Sequence, residues 1–205
     1  MAIQTIIFDF GNVLAHFSHL KAATQLASYG PPGLNPQEVV NFVFEQDLEQ
    51  RFEVAEVSGA EVLQLLRQRF GLRGSDEELA LACGDMFTGN PATLEMVPGL
   101  SQRHRLLLLS NTNELHYRRF RTQFAPALDL FHHLIVSHEV RLRKPNPAIY
   151  RHAQDVARCR PEEVVFIDDL ATNIEAGRAA GWHAIQYTPR TDLRAELSRL
   201  GVEAS

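Results

Sequence analysis

An aspartate closes the first apolar run of this chain: Ile3-Gln4-Thr5-Ile6-Ile7-Phe8 leads into Asp9, and Phe10-Gly11-Asn12 follow. A carboxylate at the C-terminal end of a buried strand can act as nucleophile, metal ligand or both, although Asp in that place more commonly starts a turn or caps a helix. Later strand ends decide between these uses. Leu106 to Leu109 runs into Ser110-Asn111-Thr112-Asn113, and Val164 to Ile167 runs into Asp168-Asp169. Ser-Asn alone serves as a helix cap as readily as a pair of hydrogen-bond donors. Two adjacent carboxylates repel one another unless a cation lies near them, which points to a metal. Between these strand ends stands Arg143-Lys144-Pro145. The 20 basic residues are all arginine except Lys21 and Lys144. Where arginine is so strongly preferred, a lysine marks a place for a compact ammonium rather than a planar fork.

Positioning these residues requires a sheet whose strands end together. The apolar runs at 3–8, 106–109, 134–136, 164–167 and 183–187 read as strands, and the stretches 114–123, 147–157 and 172–180 between them read as helices. Repeated strand-helix units imply a parallel sheet covered on both faces. In such a sheet ligands bind outside the carboxyl ends of the strands. From Ala15 to Glu95 the pattern is helical instead. Asn35-Pro36 marks a helix start, and Ser58-Gly59-Ala60-Glu61 and Ser75-Asp76-Glu77-Glu78 are capping boxes. This stretch is too long for one crossover helix, so residues 15–95 are expected to form an inserted helical cap. Residues 1–14 and 96–205 form the core. The fold class is therefore α/β, a Rossmann-like parallel sheet with an inserted α-helical cap domain.

Composition limits the function. The 205 residues carry a net charge of -5, and 45% of them are apolar, which gives no basic footprint for nucleic acid. No signal peptide or membrane-length apolar run is seen, and the expectation is a cytoplasmic protein without a membrane partner. Cys83 and Cys159 make no disulfide framework, and the histidines lack metal-ligand spacing. His116, one helical turn beyond Thr112, reads as a helix-surface residue. Phe44, Glu45, Arg51 and Glu53 either line a substrate entrance or form a solvated helix face.

Taken together, Phe-Asp-Phe-Gly-Asn-Val at 8–13, Ser-Asn-Thr-Asn at 110–113 followed by His116, Arg-Lys-Pro at 143–145, and Phe-Ile-Asp-Asp at 166–169 with Asn173 resemble the haloacid dehalogenase superfamily. The wording is similar to the branch with alpha-D-glucose-1-phosphate phosphatase and the amino-terminal phosphatase domain of soluble epoxide hydrolase. That resemblance implies an Mg²⁺-dependent hydrolase of a small-molecule phosphate ester. Asp9 would attack phosphorus and form an aspartyl-phosphate. One Asp9 oxygen, the Gly11 carbonyl and Asp169 would bind Mg²⁺. Ser110 and the Asn111 amide would donate to the phosphoryl oxygens, and Lys144 would neutralise charge. Asp168 and Asn173 would orient Lys144 and metal-bound water.

One position departs from the usual phosphatase pattern. Two residues after the nucleophile an aspartate ordinarily acts as general acid-base, and here that residue is Gly11. Halide needs no proton to leave, so a 2-haloacid dehalogenase is an alternative, against which the pair Asp168-Asp169 argues. A non-catalytic phosphate- and metal-binding protein is the alternative outside enzymes. Without the acid, esters with more acidic leaving oxygens should react best, so glucose-1-phosphate is expected to outrank 6-phosphates.

Overall fold

Seven short segments take up extended pairing in the computed structural model, which describes residues 2–203. They are β1 (Thr5–Phe8), β2 (Ala15–Phe17), β3 (Phe87–Gly89), β4 (Arg105–Ser110), β5 (His133–Val136), β6 (Val164–Asp168) and β7 (His183–Gln186). Five of them form one parallel sheet in the order β5-β4-β1-β6-β7. The apolar runs alternate between its faces. Ile6, Phe8, Leu106, Leu108, Val165 and Ile167 pack on one side; Ile7, Leu107, Leu109, Val164 and Phe166 pack on the other. A period of two with both faces apolar is what a doubly covered sheet requires.

The chain leaves β1 for β4 and β5 on one flank, then returns to β6 and β7 on the other. The strand order therefore reverses beside β1, and a crevice opens there above the carboxyl ends. Phe8 is in register with Leu108 and with Ile167. The next residue along β1, Asp9, is thus flanked by the ends of β4 and β6, and its amide donates to the Ile167 carbonyl at 2.8 Å.

Between β2 and β3 lie α1 (His19–Ala27), α2 (Pro36–Phe44), α3 (Leu48–Glu53), α4 (Gly59–Phe70) and α5 (Asp76–Gly84). Both expected capping boxes form, at Ser58/Glu61 and Ser75/Glu78, and Asn35 caps α2. Val39, Phe52, Leu63, Leu66, Phe70 and Leu79 build a hydrophobic cluster distinct from those of the sheet. The stretch expected to be wholly helical contains two strands as well. Ala15 to Phe17 pairs antiparallel with Phe87 to Gly89, a ribbon from which the helices emerge. Three-residue strands fall below the window in which periodicity can be read.

The remaining helices are α6 (Pro91–Leu94), α7 (Val97–Ser101), α8 (Glu114–Gln123), α9 (Ala125–Leu128), α10 (Ser137–Val140), α11 (Pro147–Ala157), α12 (Ala171–Ala179) and α13 (Leu193–Arg199). α8, α11 and α12 start within a few residues of the ends of β4, β5 and β6 or the loops that follow them. No helix among the described residues is long and apolar enough to cross a membrane.

Candidate active site

Asp9, Lys144 and Asp168 meet at the carboxyl edge of the sheet. The Lys144 ammonium lies 2.8 Å from Asp9 Oδ1 and 2.6 Å from Asp168 Oδ2. It is 1% exposed, beside an Asp168 that is fully buried. A lysine so placed stays charged only because carboxylates surround it. Burial pulls its pKa down, but Asp168 and Asp9 outweigh that and raise it above the usual lysine range.

Asp168 is the better held of the two carboxylates. Its Oδ1 accepts from Asn173 Nδ2 at 2.8 Å and from the Leu170 amide at 2.9 Å, while Oδ2 takes the ammonium. The excess negative charge therefore falls on Asp9, which has the Phe10 amide at 2.7 Å as a further donor. Burial pushes the Asp9 carboxyl up to about 7; Lys144 opposes the rise, and the charges of Asp168 and Asp169 add to it. Asp169 is also raised, chiefly by burial, despite a hydrogen bond from Asn12 Nδ2 at 2.9 Å.

The loops around these groups are fixed from both sides. Phe10 stacks on Phe120 at 3.9 Å between centroids and meets Phe87 and Phe124 edge-on, which pins the turn after Asp9. Asn12 adopts a left-handed backbone with φ of 55°, a conformation Asn tolerates better than most residues. The Asn111 carboxamide clips Lys144 by its backbone, donating to the carbonyl at 2.9 Å and accepting from the amide at 2.8 Å. Asn111 thus positions the lysine loop. Ser110 is buried, and its hydroxyl donates to the Asn111 carbonyl at 3.5 Å, the outer limit of a hydrogen bond.

A cavity of about 80 Å³ opens over this edge, with Gly11, Ser110 and Asn111 in its lining. Its other walls include Phe17, His19, Glu49, Glu53 and His116. A larger groove of about 390 Å³ between α11 and α12 contains none of the clustered carboxylates. His116, expected on the helix surface, is half-buried and lines the cavity. Its Nδ1 faces Asn113 Nδ2 at 2.9 Å, so the ring accepts there and carries its proton on Nε2. Burial, then the neighbouring His19, press its pKa down to about 3. Of the four residues weighed for a substrate entrance, Glu53 lines the cavity, whereas Glu45 and Arg51 are exposed and Phe44 packs its ring against His19. Glu49, His19 and Asn12 were not singled out in the sequence. The Glu49/Glu53 spacing of one helical turn was the available signal for the first.

Oxygens of Asp9, Asp168 and Asp169 come within 4.8 Å of one another. With one ammonium among three carboxylates, the cluster is short of positive charge, and a divalent cation fits it. Asp168 is already committed to Lys144, Asn173 and Leu170, which directs a cation toward Asp9 and Asp169.

Residues 3–181 match the family described as haloacid dehalogenase-like hydrolase. D-ribitol-5-phosphate phosphatase of Bacteroides thetaiotaomicron is 26% identical over 202 residues, covering 96% of this chain and 97% of that protein. Bifunctional epoxide hydrolase 2 of Mus musculus is 41% identical over 70 residues, 34% of this chain and only 13% of that one. Among solved structures, a HAD family enzyme from Bacteroides thetaiotaomicron in complex with magnesium and inorganic phosphate superposes with a TM-score of 0.79. Its identity is 21%, over 95% of this chain and 99% of that one.

Proposed function

Because the chain belongs to the haloacid dehalogenase-like hydrolase family, we propose that it is an Mg²⁺-dependent phosphatase of a small sugar or alditol phosphate, with Asp9 as the phosphoryl acceptor. The observation that carries this reading is the buried ammonium of Lys144 held between Asp9 and Asp168, with Asp169 alongside. A phosphoryl dianion repels an attacking carboxylate, so charge compensation has to be built into the site. The ribitol phosphatase relative and the magnesium and phosphate complex of the structural neighbour support the same direction.

Asp9 attacks phosphorus, the bond to the leaving oxygen breaks, and water later cleaves the aspartyl-phosphate. Ser110 and the Asn111 amide hold phosphoryl oxygens. Lys144 offsets the charge of both nucleophile and phosphate, kept in line by Asp168, by Asn111 on its backbone, and through Asp168 by Asn173. Asp9, the Gly11 carbonyl and Asp169 would hold Mg²⁺, which when bound supplies positive charge to the phosphoryl oxygens. The helices of residues 15–95, as a cap over the site, favour a small ester over a phosphoprotein.

Within the substrate class, two esters make opposite demands. Glucose-1-phosphate, favoured by the missing acid at Gly11, releases a hemiacetal oxygen; ribitol 5-phosphate, the substrate named for the relative, releases a primary alkoxide. A panel containing both, with phosphate release measured in Mg²⁺ and in excess chelator, tests the proposal. Release that depends on Mg²⁺ is expected. Full release in chelator, or none from any ester, would refute it. Chloroacetate in the same panel tests the dehalogenase alternative, which leaves the Asp169–Asn12 arrangement without a role.

A further inference from the structure

The phosphatase reading leaves one atom without a source, the proton for the departing oxygen. Gly11, at the place of the usual acid, carries no side chain, and the Phe17 ring crowds that place. A Cβ built there would lie 3.0 Å from the Phe17 ring. The same cavity is lined by two carboxyls on one face of α3, Glu49 and Glu53, a helical turn apart.

These two carboxyls have different commitments. Glu53 receives Arg143 Nε at 2.9 Å. Arg143 immediately precedes Lys144, so this contact ties α3 to the loop that carries the buried ammonium. It thereby sets where Glu49 stands relative to the phosphate site. Glu49 itself faces the cavity, with His19 Nε2 at 3.7 Å. Burial lowers the pKa of His19, so that contact is not an ion pair at neutral pH.

From this geometry we propose that Glu49, which lines the same cavity as Gly11, Ser110 and Asn111, is the general acid-base that protonates the leaving oxygen. In the first step the P–O bond to the leaving group breaks, its electron pair stays on oxygen, and the Glu49 proton transfers to that oxygen, giving the alcohol and a Glu49 carboxylate. In the second step water attacks phosphorus and gives a proton to Glu49. The Asp9–phosphorus bond breaks, its electrons return to the Asp9 carboxylate, and phosphate departs with Glu49 again protonated.

The charge environment suits the role. Burial, then Glu53 one turn along the helix, push the Glu49 carboxyl up to about 7, with Arg143 opposing. It therefore holds a proton in a substantial fraction of molecules at neutral pH and can return to that state each cycle. The other ionisable groups at the site are differently committed, and His19, its pKa lowered by burial, stands beside Glu49 as its neighbour in the lining. His116 is neutral, with Nδ1 engaged by Asn113; Glu53 is engaged by Arg143, and Lys144 by two carboxylates.

The test is kcat/KM for Glu49→Gln and Glu49→Asp, in Mg²⁺, on ribitol 5-phosphate and on aryl phosphates from phenyl to 2,4-dinitrophenyl. This parameter ends with loss of the leaving group and so reports the first proton transfer. We expect a shallow dependence on leaving-group acidity in the native protein and a basic limb in its pH profile near 7. Glu49→Gln should lower alkyl phosphate turnover about 100-fold or more. The loss should shrink steadily as the leaving group becomes more acidic, the basic limb should vanish, and Glu49→Asp should recover part of the alkyl activity. A uniform loss across the series, or a limb retained in Glu49→Gln, overturns the proposal. The native series decides independently of whether the variants fold, since a steep native dependence also overturns it. If no ester releases phosphate from the native protein, the phosphatase reading falls and takes this one with it, a result distinct from the other two.

Discussion

Replacing Lys144 by Met retains most of the side chain's volume and removes its charge, which leaves the carboxylates of Asp9 and Asp168 buried without their common cation. Breaking a buried pair in this way costs about 3–5 kcal/mol. For a chain of this length that corresponds to roughly 6–20 °C in Tm. The size of the loss should depend on pH. Asp9 already stands at about 7 in the folded protein, against 3.8 when unperturbed, and without the ammonium its folded pKa rises further. A folded pKa above the unfolded one means the native state binds the extra proton. Stability from that group is full below about pH 4 and is lost as pH rises through the folded value. Through Asp9 the gap between native protein and variant should therefore widen as pH rises above about 7, by at most about 1.4 kcal/mol per pH unit, on top of the cost of leaving Asp168 unpaired. Thermal unfolding in chelator, by calorimetry or circular dichroism at a series of pH values, measures it. A gap below about 1 kcal/mol at pH 8, or one independent of pH, would show that the buried ammonium does not hold this cluster together.

Two further outcomes follow from the same geometry. A cation binding Asp9 must displace the proton held there below about pH 7. The apparent Mg²⁺ affinity should therefore rise by up to about tenfold per pH unit below 7 and level off above it, as read by titration calorimetry in buffers of different ionisation heat. An affinity constant from pH 6 to 8 would contradict this. Asn111→Ala removes both hydrogen bonds to the Lys144 backbone. At about 1 kcal/mol each, stability should fall by about 2 kcal/mol, and a displaced ammonium should lower kcat/KM by at least about tenfold; near-native values for both would show that the clip is not needed.

The ends of β1, β4 and β6 were legible because each apolar run breaks abruptly at polar residues, Asp9, Ser110 and Asp168-Asp169 in turn. Lys144 stood out through the scarcity of lysine. Its depth and its two carboxylate partners are tertiary facts, created when the loop before α11 folds over the end of β6. The β2–β3 ribbon was hidden for a different reason. Its strands are three residues long and pair across some seventy positions, so neither local periodicity nor turn chemistry announces them. α13 was also missed. Glu49, His19 and His116 belong to three different helices, and which faces converge on the cavity is set by how α1 packs on α2 and α5 and α3 on α2 and α10, beyond what spacing within one helix can indicate.

The central claim is that Asp9 carries the phosphoryl group. The direct measurement is rapid quenching during turnover of a sugar or alditol phosphate with Mg²⁺, reduction with borohydride, and mass spectrometry of the peptide containing residue 9. An aspartyl-phosphate reduces to homoserine. Homoserine at position 9 in the native protein, and its absence together with turnover in Asp9→Asn, is the expected result. Sustained phosphate release with no homoserine at that position, under quench times shorter than one turnover, would contradict the account.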